Sequence, residues 1–320
     1  MKKFNIDFYG HRKVYFIISA AIMVVGLLCN ILFGTELSTQ FRGGTILKYS
    51  YSGDMDTEQV AQIAKDVTGT SAEVTINENV QTSAGSDTVD QISLNFAGTG
   101  TVDPQTQSDL LDKLQAAFPD SNVQLGESSS VDATMGAMFF AKCMVAILLA
   151  AILLILYVAI RFKKIGGMSA GVTGVIALIH DVLVVYFVFI IFRMPLNDSF
   201  IAVVLTILGY SLNDTIVLYD RLRENRRVLG PKVPYEELMN VSINQNFTRC
   251  LNTSITTFAA ITVVYVVGLA YGLDSVTSFA LPMMFGVISG CYSSLCISCP
   301  LYVMWQNHKK KKRAAAGAKA

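Results

Sequence analysis

Residues 208–224 of the chain read LGYSLNDTIVLYDRLRE, which places Asn213 and Asp214 inside a long hydrophobic segment. A segment of this kind is typical of a membrane-spanning helix. An ionisable side chain inside a bilayer is energetically expensive and is usually retained for the movement of an ion or a substrate. We therefore predict a membrane protein in which Asp214 performs proton-coupled work.

The composition of the whole chain supports this interpretation. Of the 320 residues, 52% are hydrophobic and only 15% are charged, against about 25% charged residues in soluble proteins. Six hydrophobic runs reach the roughly 20 helical residues that cross a bilayer. The predicted spans are residues 14–33, 138–160, 168–192, 200–222, 251–271 and 279–304. The first run is too long for the apolar part of a cleavable signal peptide, so we expect it to remain as a span.

The distribution of Lys and Arg predicts the orientation of the spans, because basic loops stay in the cytoplasm. The basic segments are residues 1–13, 161–164, 221–232 and 307–320. We expect a protein of the cytoplasmic membrane with both termini in the cytoplasm. Outside the segment between spans one and two, the predicted parts are an N-terminus (1–13), span one (14–33), spans two to six (138–306) with a cytoplasmic segment (223–250), and a basic tail (307–320). The tail indicates topology and contact with anionic lipid rather than binding to nucleic acid.

Residues 34–137 are predicted to form one extracytoplasmic domain. Residues 35–137 contain fifteen Asp and Glu against four Lys and Arg, and this segment holds none of the six cysteines. Its strand and helix patterns follow the order βαββαβ, with strands near 45–51, 73–76, 91–96 and 123–125, helices at 56–67 and 104–118, and a loop at 81–88. This order is typical of a ferredoxin-like α+β domain. No nucleophile, metal cluster or phosphate loop is predicted in it.

Polar residues recur at helical spacing in three of the spans. They are Thr206, Tyr210, Asn213 and Asp214 in span four, Thr173, His180 and Asp181 in span three, and Arg249, Asn252, Thr253, Thr256 and Thr257 around span five. Polar groups turned toward lipid would be unsatisfied, so we expect the three stripes to face one another.

Asp214 is the strongest candidate for a proton carrier, because a buried carboxyl group can change its charge when a cation approaches or leaves. His180 and Asp181 could instead satisfy each other and lock two helices together. Arg249, near the start of span five, could serve only as a topology anchor. The segment before it, residues 234–248, predicts a separate amphipathic helix at the membrane interface.

Four motifs carry a resemblance to a known family. They are FRGG at 41–44, IHD at 179–181, GYSLNDTIVLYDRLRE at 209–224 and NQNFTRCLNTS at 244–254. Together they resemble the SecF family, the smaller membrane subunits of the bacterial SecD/SecF export complex, within the resistance-nodulation-division superfamily. The resemblance covers nearly the whole chain. It departs from the family pattern at Gln40, where an acidic residue is usual.

The resemblance implies a role in protein transport rather than enzymatic catalysis, with no cofactor and no metal. It implies that the chain pairs with SecD and uses the proton motive force to promote export of unfolded polypeptides through SecYEG, after SecA has pushed them in. YajC is a further implied partner. The family's proton-relay aspartate and functional arginine fall on Asp214 and Arg249. The remaining candidate site residues are polar supports of this pair: Asn213, Tyr210, Thr206, His180, Asp181, Asn252 and Thr256.

Two alternatives remain open from the sequence. A proton-driven exporter of small molecules or lipids, from the same superfamily, would need larger extracytoplasmic insertions than the roughly 100 residues found here. A purely structural membrane subunit would tolerate neutralisation of Asp214 without loss of activity.

Overall fold

The computed structural model describes residues 6–53, 55–81, 88–97, 102–131, 133–230, 232–271 and 273–317. Six of its helices are long and apolar enough to cross a membrane, which confirms the predicted number of spans. In chain order the elements are α1 (Arg12–Phe33), α2 (Thr39–Arg42), β1 (Gly44–Tyr51), α3 (Thr57–Thr68), β2 (Glu73–Gln81), β3 (Thr88–Ala97), α4 (Pro104–Ala117), β4 (Gln124–Val131), α5 (Ala133–Arg161), α6 (Gly167–Ile191), α7 (Asp198–Val228), α8 (Tyr235–Ala270), α9 (Asp274–Ser293) and α10 (Cys299–Gly317).

The segment between α1 and α5 contains a small sheet. Its strands lie in the order β2-β3-β1-β4, and all neighbours are antiparallel. Helices α3 and α4 cover it and enclose a core that is separate from that of the long helices. Most of the loop predicted at 81–88 lies outside the described residues. We call this unit (residues 44–131) the sheet domain.

The FRGG motif connects the helical bundle to the sheet domain. Phe41 is buried, and its ring lies 5.7 Å from that of Phe139 and 5.2 Å from that of Phe140 on α5. Gly43 and Gly44 then adopt φ angles of 80° and 142°, a region that side chains with a Cβ atom rarely enter. The two glycines therefore let the chain turn from a residue anchored in the bundle directly into β1.

Helix α8 corrects the prediction of a separate interfacial helix at 234–248. That segment is the first part of a single helix of 36 residues, about 54 Å long at 1.5 Å per residue. No Gly or Pro lies between Tyr235 and Val267, so nothing in the sequence interrupts the helix. About 20 Å of α8 therefore extends beyond a hydrocarbon core of roughly 30 Å.

The N-terminal segment holds this extension of α8. The side chain of Asn244 accepts from the Ile6 N–H at 2.9 Å and donates to the Ile6 carbonyl at 2.8 Å, and Asn240 accepts from the Tyr9 N–H at 3.0 Å. Hydrogen bonds from the Gly10 N–H and the Asn240 amide lower the pKa of Asp7. The segment before α1 is thus fixed to α8 across more than 230 residues of sequence.

Helices α9 and α10 are joined by a π-helical turn at Ser294–Ser298. Pro300 lies just beyond it and has no N–H to bond the carbonyl four residues earlier, and wider π turns are one way to absorb such a defect. The turn directs two buried hydroxyls toward α7, because Ser294 bonds Thr215 at 3.0 Å and Ser298 bonds Tyr219 at 2.8 Å.

Candidate functional site

Helix α6 places Asp181 in the middle of the bundle, where it is fully buried. Three hydroxyl groups donate to its carboxylate: Ser211 of α7 to Oδ2 at 2.6 Å, Ser289 of α9 to Oδ1 at 2.6 Å, and Ser293 of α9 to Oδ2 at 2.7 Å. His180 Nδ1 lies 3.2 Å from Oδ1. A buried carboxylate with this many donors has its charge compensated by hydrogen bonds. Asp181 therefore ties α6, α7 and α9 together.

The serines around Asp181 are absent from the site residues predicted by sequence. Ser289 and Ser293 are four residues apart and continue into the serine-containing π turn, so helical spacing of small polar residues is the signal that could have found them. Ser211 gives no such signal. Its role depends on the rotation of α7, which brings its hydroxyl to a carboxylate thirty residues earlier in the chain.

His180 lies beside this network on the α6 helix and is also buried. Its Nδ1 atom is 3.4 Å from the Ser289 hydroxyl, and its ring centroid is 6.0 Å from that of Tyr292. Its Nε2 atom has no hydrogen-bond partner within the described part of the chain. The two residues therefore differ. Asp181 has hydrogen-bond partners for both carboxylate oxygens, as expected of a group that locks helices together, whereas His180 keeps one ring nitrogen without a partner in the described chain.

Asp214 of α7 has a contrasting environment. Only 4% of the residue is exposed, yet its Oδ2 atom has no hydrogen-bond partner among the residues that the structure describes. Cys250 of α8 and Cys291 of α9 lie near enough to interact with it electrostatically. Leaving a buried carboxyl oxygen without a partner is unfavourable. Asp214 is therefore the buried carboxyl group in this bundle that keeps unused bonding capacity.

Arg249 lies close to Asp214 without touching it. It precedes Cys250 on α8, and its positive charge is near enough to act on Asp214. The two side chains form no ion pair within 4 Å, although both lie in the described part of the chain. Arg249 is instead exposed at the side of the bundle. The structure therefore brings the predicted pair together but leaves a gap between them.

The expectation that the three polar stripes face one another is wrong for most of α7 and α8. Tyr210 is half-buried and donates to Ser254 at 3.4 Å. Thr206 and Thr256 bond only carbonyls of their own helices, those of Ala202 and Asn252. Five residues of the stripes on α7 and α8 are exposed: Thr206, Asn213, Arg249, Asn252 and Thr256. We call these five residues the outer polar face.

Two further hydrogen bonds between polar side chains join α6 to α7 and to α10. Thr173 of the predicted stripe bonds the Tyr219 hydroxyl at 2.8 Å, and Gln306 donates to Ser169 at 2.8 Å. Cys296 and Cys299 are free and buried. No group of three or more potential metal ligands occurs among the residues searched, which are those that the structure describes.

Comparison with known proteins places this arrangement in a family. Residues 111–308 match the family model described as protein export membrane protein SecD/SecF, C-terminal. The SecF subunit of Alicyclobacillus acidocaldarius is 31% identical over 98% of this chain and 97% of its own length. This chain belongs to the SecF family. The resemblance predicted from the four motifs is thereby confirmed.

Fused relatives extend this result. The SecDF protein of Bacillus subtilis is 29% identical to 97% of this chain, which spans 39% of that protein. A crystal structure of a Thermus SecDF, described as a translocon-associated membrane protein, matches 95% of this chain with a TM-score of 0.76 and 26% identity, and the chain again spans 39% of it. SecF-like sequences thus occur both as separate proteins and as part of a longer SecDF chain.

Proposed function

We propose that this chain is a proton-motive-force-coupled auxiliary subunit of the bacterial Sec translocon that, together with SecD, promotes export of unfolded polypeptides across the cytoplasmic membrane. The observation that carries the proposal is the state of Asp214, which is 4% exposed, has one oxygen without a partner among the described residues, and has the positive charge of Arg249 nearby. Such a group can bind and release a proton as Arg249 approaches and withdraws. The translocase names of its relatives favour this function over export of small molecules or lipids.

We propose that SecD packs against the outer polar face. Arg249, Asn213 and Asn252 would lose hydrogen bonds to water if this face lay against lipid. Gly209 lies on the same side of α7, where a Cβ atom would meet nothing within 4 Å, and small residues allow helices to pack closely in membranes. A second helical bundle would satisfy this face, and fused SecDF relatives carry additional chain that could supply it. SecYEG, SecA-dependent preproteins and YajC are proposed as further partners.

The proposed orientation places both chain ends in the cytoplasm. Arg161, which ends α5, pairs with Asp220 of α7 at 3.2 Å, so the basic ends of these two spans meet at the same end of the bundle. Basic residues concentrated at one membrane surface favour the cytoplasmic side. The sheet domain would then be extracytoplasmic.

The sheet domain is proposed to be ferredoxin-like. The support is its antiparallel strand order β2-β3-β1-β4 and its two covering helices.

We expect residues 36–132, expressed alone, to give a soluble domain whose stability is unaffected by reducing agent, because the segment contains no cysteine. Circular dichroism with thermal melting measures this. An unfolded chain, both alone and with the SecD domains present, would contradict it.

The test of the proposed function is export into vesicles that contain SecYEG, SecA and the complex of this chain with SecD. We expect an imposed proton gradient to stimulate completion of export, and a protonophore to remove the stimulation while ATP-driven entry continues. A sodium gradient applied alone serves as the control. Equal stimulation with and without the proton gradient would contradict proton coupling.

Arg249 provides a sharper prediction about coupling. We expect both Arg249→Ala and Arg249→Lys to lose most of the gradient-dependent stimulation, because lysine keeps the charge but loses the planar fork that can hold a carboxylate at two points. A topology anchor would accept lysine without loss. Export kinetics at matched protein levels separate the two cases, and Arg227→Lys, at an exposed position of α7, is the control substitution. Full activity of Arg249→Lys would contradict the coupling role.

A further inference from the structure

A cavity of about 620 Å³ opens at the end of the bundle where α7 ends and α8 begins. Its walls come from the turn between α5 and α6, the last turns of α7, the start of α8 and the α10 helix. Among the described residues that line it, Arg226, Lys309 and Lys310 are basic and Glu236 is the one carboxylate. The lining therefore has an excess of two positive charges.

Three other basic residues at the same end of the bundle form ion pairs. Arg161 and Arg223 pair with Asp220, and Arg221 pairs with Glu224. Arg226, Lys309 and Lys310 form no ion pair within 4 Å in the part of the chain that the structure describes. Glu236 also forms no ion pair with them within 4 Å, and it accepts a hydrogen bond from Asn307 at 2.6 Å.

Arg226 is held in position beside the cavity. One terminal nitrogen donates to the Val233 carbonyl at 2.8 Å, and the guanidinium carbon lies 4.7 Å from the centre of the Tyr235 ring. A guanidinium carries five N–H groups, so donors remain for an oxyanion. Helix α8 begins at Tyr235 without a side-chain cap, so its first N–H groups, which have no partner within the helix, lie at the same wall.

The cavity has a residue typical of membrane interfaces beside it. It is bounded by the ends of α5 and α7, and Lys309 Nζ lies 5.7 Å from the centre of the partly exposed Trp305 ring. Tryptophan is enriched at membrane interfaces. Basic pockets between transmembrane helices on the cytoplasmic side bind anionic lipid headgroups.

We infer that this cavity is a binding site for a phosphate-bearing anion, held by Arg226, Lys309 and Lys310. The shared chemistry is a phosphate group whose oxygens accept from the guanidinium and the two ammonium groups. An anionic phospholipid headgroup and a free phosphate are the two sources of such a group. The site is separate from Asp214 and does not depend on the proposed proton coupling.

The experiment compares two variants of the full chain, purified in detergent, that lose the same number of charges. The cavity variant is Arg226→Gln/Lys309→Gln/Lys310→Gln. The matched control is Arg227→Gln/Lys311→Gln/Lys312→Gln, which removes three exposed cations next to the same positions. The probes are dioctanoyl phosphatidylglycerol, dioctanoyl phosphatidylcholine and inorganic phosphate, and native mass spectrometry with thermal-shift titration measures their binding.

We expect the cavity variant to bind dioctanoyl phosphatidylglycerol about tenfold or more weakly than the unchanged chain, and the control to stay within about twofold. Phosphatidylglycerol binding without phosphate binding identifies a lipid headgroup as the source, and stabilisation by inorganic phosphate alone identifies a free anion. Equal losses in both variants, or no saturable binding of either anion to the unchanged chain, would overturn the site.

A single substitution that is expected to strengthen binding distinguishes loss of the site from misfolding. Glu236→Gln removes the one carboxylate among the described residues that line the cavity, and glutamine can still accept from Asn307. We expect it to strengthen binding of the anionic probe by about threefold, which a damaged protein would not do. Unchanged or weaker binding by Glu236→Gln would count against the inference.

Discussion

Asp214→Asn is expected to remove the gradient-dependent stimulation of export while leaving the protein inserted and assembled. Asparagine keeps the shape of aspartate but cannot gain or lose a proton. Because the variant cannot use the roughly 2.3 kcal/mol that one proton provides on crossing 100 mV, we expect the gradient-dependent part of the export rate to fall by about tenfold or more. The measurement is export into vesicles with an imposed proton gradient, at equal amounts of chain and SecD.

The control for this substitution is Asp220→Asn on the same helix. Asp220 pairs with Arg161 and Arg223 at the end of the bundle, and exposed ion pairs contribute about 1 kcal/mol or less. We therefore expect normal stimulation from Asp220→Asn. Near-normal stimulation from Asp214→Asn would support the alternative of a purely structural subunit, and the family assignment would remain.

Asp181→Ala should have the largest effect on stability. The carboxylate accepts from Ser211, Ser289 and Ser293 and lies beside His180, and its removal leaves three buried hydroxyls without their acceptor. We expect the free energy of unfolding to fall by about 3 to 5 kcal/mol. Thermal denaturation in detergent and the amount of chain in the membrane measure the loss.

Asp214→Ala is the matched control for stability, because Oδ2 of Asp214 has no partner to lose in the described bundle. We expect a change of about 1 kcal/mol or less, with stabilisation an acceptable result. The two aspartates should therefore give different defects: substitution of Asp181 lowers stability, and substitution of Asp214 removes coupling. Equal destabilisation by both alanine substitutions would show that the difference in hydrogen bonding has no energetic consequence.

The sequence predicts the six long helices well because the length of a hydrophobic run depends only on residues that are neighbours in the sequence. Residues 168–192 were expected to form a span, and α6 covers Gly167–Ile191. Helix boundaries outside the membrane are predicted less well. The amphipathic pattern at 234–248 does not reveal that the same helix continues through residue 270, because a change in composition need not coincide with a break in the backbone.

The sequence by itself determined that this is a six-span membrane chain with an acidic insertion after span one, and that carboxyl groups lie within spans three and four. The tertiary structure alone decided which carboxyl group is satisfied. Asp181 and Asp214 have similar local sequences, with polar residues at helical spacing and an apolar surrounding. The donors to Asp181 come from 30 to 112 residues further along the chain. Which donors a buried group meets depends on how each helix is rotated against its neighbours, and no local pattern in a single helix specifies that rotation.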